Sequence, residues 1–437
     1  MEIVQQILFA ALLIIAVFLF VKNAVRISSN INMGREEKLE AHPNRWRNLL
    51  LMAFGQKRMF DKPFVALLHF AVYGGFIIIN IEILEIILDG LIGTHRLFAP
   101  YLGTAYSVLI NLFELLAFLV LLACVIFLLR RNITKPKRLV MKELDGWPKS
   151  DANYILIFEI VLMTLFLMMN AADRNLQLRG EAHYTNVGSF WISGSMAPLF
   201  NSLATGTVIA IERIAWWLHI AGIFVFLNYL PYSKHLHIIL AFPNTYYTRI
   251  RPQAKMQNMP DIQNEVLYAM QPETAPAAGS EEHKKFGAKD VTDLSWKSLL
   301  DAYTCTECGR CTEACPANQT GKKLSPRKIM MDTRDRMEVV GANGRKNKEE
   351  DGKTLLHDYI TTEELWACTS CQACVQVCPV LIDPLYIINQ LKRYVALEES
   401  NQPQEWNGMY SSIENNFAPW KLSPDERDKW VQEMNEA

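Results

Sequence analysis

Eight of the nine cysteines fall into two runs of one spacing. Cys305, Cys308, Cys311 and Cys315 stand three, three and four residues apart, and Pro316 follows; Cys368, Cys371, Cys374 and Cys378 repeat the spacing, and Pro379 follows. Each run reads C-x2-C-x2-C-x3-C-P. This spacing wraps three thiolates around one [4Fe–4S] cubane and lends the fourth to a neighbouring cubane. The expected ligand sets are Cys305, Cys308, Cys311 and Cys378 for one cluster, and Cys368, Cys371, Cys374 and Cys315 for the other. A zinc site or disulfides are the alternatives for so many thiols. Two clusters this close serve to move single electrons. Cys124 lies in an apolar run and reads as an inert buried thiol.

Electrons that enter a bilayer need a carrier there, and histidines are the candidates to hold haem b. His69 lies early in an apolar stretch, roughly 8 Å in from Pro63 at about 1.5 Å per residue. Gly74 and Gly75 leave room one turn along for a flat macrocycle. His219 and His237 are 18 residues apart, roughly 27 Å on a continuous helix, so one haem cannot use both. Depth pairs His69 with His237 as the axial ligands, with His235 as the fallback because Pro231 can kink the helix between them. A hydrogen-bonded packing role is the alternative for a lone histidine. A second, outer haem finds no partner: Ile79 and Asn80 occupy the depth that would have to supply one. His219 is left to bond a quinone or another helix.

Acids inside apolar stretches are costly and face cavities or proton paths. Asn80, Glu82 and Glu85 are the quinone or proton candidates with His219. Glu114, Glu159 and Glu212 lie in other apolar stretches, and Glu212 has the alternative of pairing with Arg213 or a headgroup. No residue is assigned a bond-making catalytic role.

These side chains need elements to place them. Five stretches approach the 20 or so apolar residues that span a bilayer: Ile3–Val21, Phe64–Leu88, Tyr106–Leu129, Tyr154–Asn170 and Thr207–Leu230. The first does not read as a cleavable signal peptide, because no basic residue precedes it and Lys22 and Arg26 follow it. Residues 23–63 carry eight lysines and arginines and residues 130–149 seven, whereas the other two loops carry only Arg96, Arg174 and Arg179. Positive loops stay inside, so the expected topology is N-terminus outside, five spans, C-terminus in the cytoplasm of an inner-membrane protein. Cluster assembly independently requires a reducing compartment. A net charge of −1 gives no case for nucleic acid. The expected fold is an all-α membrane domain (residues 1–250) and a mainly α-helical two-[4Fe–4S] ferredoxin-type domain (286–400). A Pro- and Ala-rich tether (251–285) joins them, and a tail (401–437) offers a partner-binding segment. Pro326–Arg336 reads as helical, Gly341–Gly352 as a charged loop, and Asp383–Glu398 as a helix with Leu385, Ile388, Leu391 and Val395 on one face. No Gly-rich phosphate loop is present, so no flavin or nucleotide site is expected.

The stretch from His219 through Leu230-Pro-Tyr-Ser-Lys-His-Leu-His237 resembles the cytochrome b (gamma) subunit of respiratory nitrate reductase. That resemblance implies a haem-binding five-helix domain with His237 as a ligand. That family's second span carries two histidines; this chain matches one, His69. The cysteine runs and Lys323-Leu-Ser-Pro-Arg327 resemble the cluster-bearing subunits of heterodisulfide reductase and of anaerobic glycerol-3-phosphate dehydrogenase. The fusion of both halves, with Phe54-Gly-Gln-Lys-Arg58, is similar to the membrane-bound electron-transfer-flavoprotein:menaquinone oxidoreductases. Members of that family continue into Cys-Cys-Gly domains. This chain has no Cys-Cys pair, and the resemblance implies a separate cytoplasmic subunit that supplies them. It further implies an oxidoreductase subunit, active with that partner, which passes electrons from electron-transfer flavoprotein through two clusters and haem b to (mena)quinone. A heterodisulfide-reductase-like or 2-hydroxy-acid-dehydrogenase-linked relay, or a non-catalytic anchor, are the rival readings.

Overall fold

A computed structural model describes residues 2–250, 255–256, 258–275, 285–348 and 351–436. The described residues are mostly helical and contain no strands. Five helices are long and apolar enough to cross a membrane, as expected for a membrane protein: α1 (Glu2–Ile31), α2 (Pro63–Ile92), α3 (Thr104–Leu129), α4 (Trp147–Arg179) and α5 (Thr205–Tyr229). Proline at the first turn of α2 and of α4 sacrifices no helical bond. Gly93 and Gly180 close the same two helices with φ of 82° and 77°, left-handed conformations that a side chain resists.

Inside a bilayer, helices associate by close packing rather than by expulsion of water. Accordingly Ala66, Ala117, Ala171, Ala172 and Ala215 are fully buried at helix contacts, while Ile3, Leu8, Ile14, Phe18, Phe64 and Leu67 point outward. The fourth span runs past both expected limits, from Trp147 to Arg179 rather than from Tyr154 to Asn170. Its added turns hold Asp151, Asp173, Asn175 and Gln177, all buried. Hydropathy reads such residues as an end; here Tyr229 bonds Asp151, Arg96 and Gln177 bond Asp173, and Asn175 donates to Ala197 O and Asn201 Oδ1.

The fifth span does not continue to His237. Pro231 sits in a 3-10 turn (Leu230–Tyr232), a second turn covers Lys234–Leu236, and a new helix, α6 (His237–Tyr246), begins at the histidine. The 27 Å separation therefore does not apply to the folded chain.

The cysteine-bearing part is built on α7 (Trp296–Thr304), α8 (Pro326–Arg345) and α9 (Pro384–Leu397) around Leu299, Ile329, Met337, Leu355, Ile388 and Leu391. Leu385, Ile388, Leu391 and Val395 do form the buried face of α9, and Asp383 caps it through Tyr386 N. The expected loop at Gly341–Gly352 begins late, because α8 runs on to Arg345; residues 349–350 lie outside the described set. The expected tether lies partly outside it too (251–254, 257, 276–284), and its described part contains a helix, Pro260–Met270.

The cysteine-bearing part sits on one end of the bundle. Ile27 of α1 and Leu236 enter its apolar core. Asn30 Nδ2 donates to Tyr303 OH at 2.7 Å. Arg327, fully buried, donates to Arg138 O at 2.6 Å and to Glu143 at 2.7 Å. Arg249 holds Glu37 through two bonds of 2.8 and 2.7 Å and donates across to Ser295 Oγ and Ser298 Oγ, each at 3.0 Å, and Lys62 meets Glu313 at 2.6 Å. The Arg327 and Arg249 pairs are largely buried and hold a geometry strictly, because removing one partner strands the other, whereas the Lys62–Glu313 pair is exposed and contributes little.

Candidate functional site

The two cysteine runs fold alike. In the first, Glu307 and Gly309 take φ of 55° and 74°; in the second, Ser370 and Gln372 take 56° and 63°. These are the second and fourth positions after each leading cysteine. Alternation of right- and left-handed residues curls backbone N–H groups into a concavity suited to anions and iron–sulfur centres. Cys305, Cys308, Cys311 and Cys378 line one partly open cavity. Cys315, Cys368, Cys371 and Cys374 line a second. Each cavity thus takes three thiols from one run and the last from the other.

All nine cysteines are free thiols. Among the described residues no three Cys, His, Asp or Glu side chains converge on an ion-sized point; the thiols surround a space. Burial pushes Cys305 and Cys378 up to about 12 and raises Cys311 and Cys374, and neighbouring thiols add to the effect. Four thiolates there need a cationic core among them. A cubane of iron and sulfide matches that donor set and that space. Backbone donors already face the sulfurs: Ser370 N to Cys368 Sγ at 3.4 Å and Ile382 N to Cys378 Sγ at 3.3 Å.

The rings of His69 and His237 are neighbours, with centroids 6.4 Å apart and planes tilted by 39°. Two imidazoles bonded trans to one metal at roughly 2.0 Å, with about 1.1 Å from nitrogen to ring centre, would stand about 6.2 Å apart. Each ring is oriented through Nδ1. His69 Nδ1 donates to Gln56 Oε1 at 3.0 Å, and His237 Nδ1 to Lys234 O at 3.0 Å. An oxygen acceptor at Nδ1 fixes the tautomer that leaves Nε2 with a free lone pair, as metal-bound histidines require. Neither Nε2 has a protein hydrogen bond among the described residues. Burial lowers His237, and burial with its two histidine neighbours holds His235 down to about 3. His235 lies beside the pair, 5.5 Å from His237 and nearly perpendicular, against Phe226.

A three-residue turn joins this pair to the first cavity. Gln56 (φ 49°) holds His69. Two residues on, Arg58 donates to Cys378 O at 2.8 Å and to Val375 O at 3.1 Å, and Arg310 donates back to Arg58 O at 2.8 Å. Lys392 donates to Cys368 O at 2.6 Å beside the second cavity.

The other candidates lie elsewhere. His219 is buried and donates to Leu162 O at 3.0 Å, packed on Phe166. Asn80 is exposed and bonds its own helix at Phe76 O. Glu82 and Glu85 are buried near Arg96 at the end of the bundle away from the cysteines. Glu212 pairs with Arg213 and accepts from Tyr184 OH at 3.0 Å. Sequence reasoning missed Gln56, although it stands in the Phe54–Arg58 segment. It read Arg96 only as a loop charge.

Residues 304–382 match the family model described as a 4Fe-4S dicluster domain. The chain is 28% identical over 470 residues to the "Probable iron-sulfur-binding oxidoreductase FadF" of Bacillus subtilis, covering 100% of this chain and 62% of that protein. It is 26% identical over 448 residues to the "EtfAB:quinone oxidoreductase" of Syntrophomonas wolfei, covering 96% and 58%. Over 106 residues it is 33% identical to one subunit of the ferredoxin/F(420)H(2)-dependent CoB-CoM heterodisulfide reductase of Methanosarcina acetivorans, covering 24% of this chain and 53% of that protein. The chain spans about six-tenths of the length of the first two relatives. No solved structure matches it. Its whole length is thus similar to proteins named as iron–sulfur or quinone oxidoreductases, and its cysteine-bearing part to a domain that holds two [4Fe–4S] clusters.

Proposed function

We propose that this chain is an oxidoreductase subunit that takes electrons on the cysteine-bearing side and delivers them to a quinone in the membrane. One observation carries the reading: two four-thiol cavities sit on a helical bundle, and one turn, Gln56–Arg58, touches both a cavity wall and a histidine pair spaced for a metal. When bound, two [4Fe–4S] clusters and haem b supply one-electron carriers.

The protein's own part is placement and tuning. Cys305, Cys308, Cys311 and Cys378 hold one cluster, and Cys368, Cys371, Cys374 and Cys315 the other. His69 and His237 would hold the haem iron, with Gln56 and the Lys234 carbonyl as their orienting acceptors. Arg58 and Lys392 bring positive charge beside cysteine carbonyls, which favours the reduced, more negative state of a cluster. Arg327 and Arg249 tie the two parts together. Residues 1–250 form the nitrate-reductase-gamma-like cytochrome b domain, 286–400 the cluster domain and 401–437 the partner-binding tail. That tail exposes Phe417, Trp420 and Trp430. The partner is a separate cytoplasmic subunit with Cys-Cys-Gly domains, which receives electrons from an electron-transfer flavoprotein. The name of the second relative supports the flavoprotein as the electron source. The two basic loops at the cysteine-bearing end support an N-terminus outside and clusters in the cytoplasm.

A second reading, a heterodisulfide-reductase-linked relay, draws on the likeness to the heterodisulfide reductase of Methanosarcina acetivorans. Copurification decides between them: the first expects electron-transfer-flavoprotein subunits, the second a thiol-disulfide reductase. Loss of b-type absorbance in His69→Ala with iron–sulfur signals intact supports the electron path; unchanged b-type bands contradict it.

A further inference from the structure

At the bundle end away from the cysteines, α2 to α4 bury an ionisable cluster that the electron path does not use. Glu82, Glu85, Glu114 and Asp173 are at most 3% exposed, and one guanidinium, Arg96 at 7%, lies among them. The loop after α2 is drawn inward to put it there. Asp89 accepts from Thr94 Oγ1 at 2.6 Å, Arg96 N at 2.8 Å and Leu97 N at 3.1 Å, and Arg96 takes φ of 55°.

Three of the acids have both oxygens met by donors. Glu85 accepts from Phe98 N at 2.8 Å and Tyr106 OH at 2.6 Å. Asp173 accepts from Arg96 Nε at 2.8 Å and Gln177 Nε2 at 2.9 Å. Glu114 accepts from Ile192 N at 3.0 Å, from Ser193 Oγ and from Asn170 Nδ2 at 3.4 Å. Donors at both oxygens suit ionised carboxylates, which only accept. Glu82 differs. Its Oε1 lies 3.9 Å from Arg96 Nη1, and its Oε2 is buried with no partner among the described residues. The charged groups facing Glu82 are Arg96 from the loop, Glu85 from its own helix, Glu114 from α3 and Asp173 from α4. One buried cation cannot balance four buried anions. The acid whose oxygen lacks a donor is where a proton belongs.

A route leads outward. Asp173 Oδ2 is 3.5 Å from His95 Nε2, and His95 Nδ1 is itself buried without a partner among the described residues. The His95 ring lies 5.4 Å from that of His183, which is exposed. Glu82 stands ten residues before Ile92, roughly 15 Å along the helix, about half of a hydrocarbon core of about 30 Å.

We propose that Glu82 is a proton-carrying site, fed from the bundle end opposite the cysteines through His183, His95 and Asp173, with Arg96 as its fixed counter-ion, and that it serves a membrane quinone. Reduction of the quinone to quinol takes two electrons, supplied by the reduced donor through the electron path, and two protons. For each proton the Glu82 O–H bond breaks, the carboxylate is left facing Arg96, and a proton from water returns through the histidines. The quinone's part in this rests on the function proposed above; the proton site itself does not.

The test uses the full chain with its cofactors in lipid vesicles. Static infrared spectra at neutral pH are expected to show a protonated-carboxyl band, shifted in D2O, that is kept in Glu85→Gln and lost in Glu82→Gln. Proton uptake on quinone reduction is expected to slow about 10²-fold, the weight of a positioned proton-transfer group, in Glu82→Gln and in His95→Gln, while iron–sulfur signals stay intact. A band that survives in Glu82→Gln, or undiminished uptake in His95→Gln, overturns the proposal. Wild-type protein without iron–sulfur signals but with the Glu82 band would instead overturn the electron path and leave the proton site standing. Should Glu82→Gln not fold, Glu82→Asp with a shifted band decides the assignment, and an unshifted band refutes it.

Discussion

Gln56→Asn isolates the link between the histidine pair and the cysteine cavities. Asparagine tolerates the left-handed conformation that Gln56 adopts at φ 49°, so the backbone is not newly strained. Its side chain is one methylene shorter, withdrawing the amide oxygen by about 1.5 Å from a bond of 3.0 Å to His69 Nδ1, which breaks it. His69 then loses the acceptor that fixes its ring and tautomer. Removing such an outer partner typically weakens a metal site 10- to 100-fold, about 1.4–2.8 kcal/mol. The assay is haem per chain as purified and on titration with haem, read by reduced-minus-oxidised absorbance. Gln56→Glu keeps an acceptor and is expected to bind at least as tightly as wild type. If Gln56→Asn binds haem as wild type does while His69→Ala abolishes it, the proposed role of Gln56 fails. If His69→Ala also retains full haem, the ligand assignment fails with it.

Further expectations concern the cysteines and the docking surface. Cys315→Ser should remove the same cluster signal as Cys371→Ser and spare the one lost in Cys308→Ser, by electron paramagnetic resonance; loss of the Cys308 signal would reverse the crossed pairing. Gly341→Ala would put a Cβ 2.1 Å from Asn30 Oδ1, and overpacking of this kind costs about 1–3 kcal/mol, seen as a lower Tm. Glu37, Glu143 and Glu307 lie where the two parts meet. Burial pushes them up, but Arg249, Arg327 and Lys234 outweigh it and hold them below 4.5. A depressed carboxylate stabilises the fold above its unfolded value and ceases to as the pH falls through its folded value. Docking should therefore be intact at neutral pH and weaken below about 4.5, measured by limited proteolysis against pH; constant protection down to pH 3 would count against it.

The cavities were legible in the sequence because their information is local: seven residues from Cys305 to Cys311 set three thiols on one loop, and the repeat at Cys368 sets three more. That each fourth cysteine lines the other cavity followed from the same spacing. The apolar stretches were legible as helices for the same reason. The limits of the fourth were not, because Asp151 and Asp173 draw bonds from other elements, Tyr229 and Arg96 among them. His69 could be matched to His237 by depth, but the acceptor that orients it lies 13 residues earlier in a turn that sequence reasoning did not treat as part of the site. Arg96 looked like a surface charge because nothing in its neighbourhood reveals that Asp89 and Glu85 bond the loop amides and draw it inward.

Anaerobic purification of the full chain, with iron, sulfide, zinc and haem counted in one sample, tests the central claim most directly. The expectation is about eight cluster irons with matching sulfide per chain, plus b-type bands that vanish in both His69→Ala and His237→Ala. Stoichiometric zinc in place of iron, or wild-type protein without b-type bands, would contradict it.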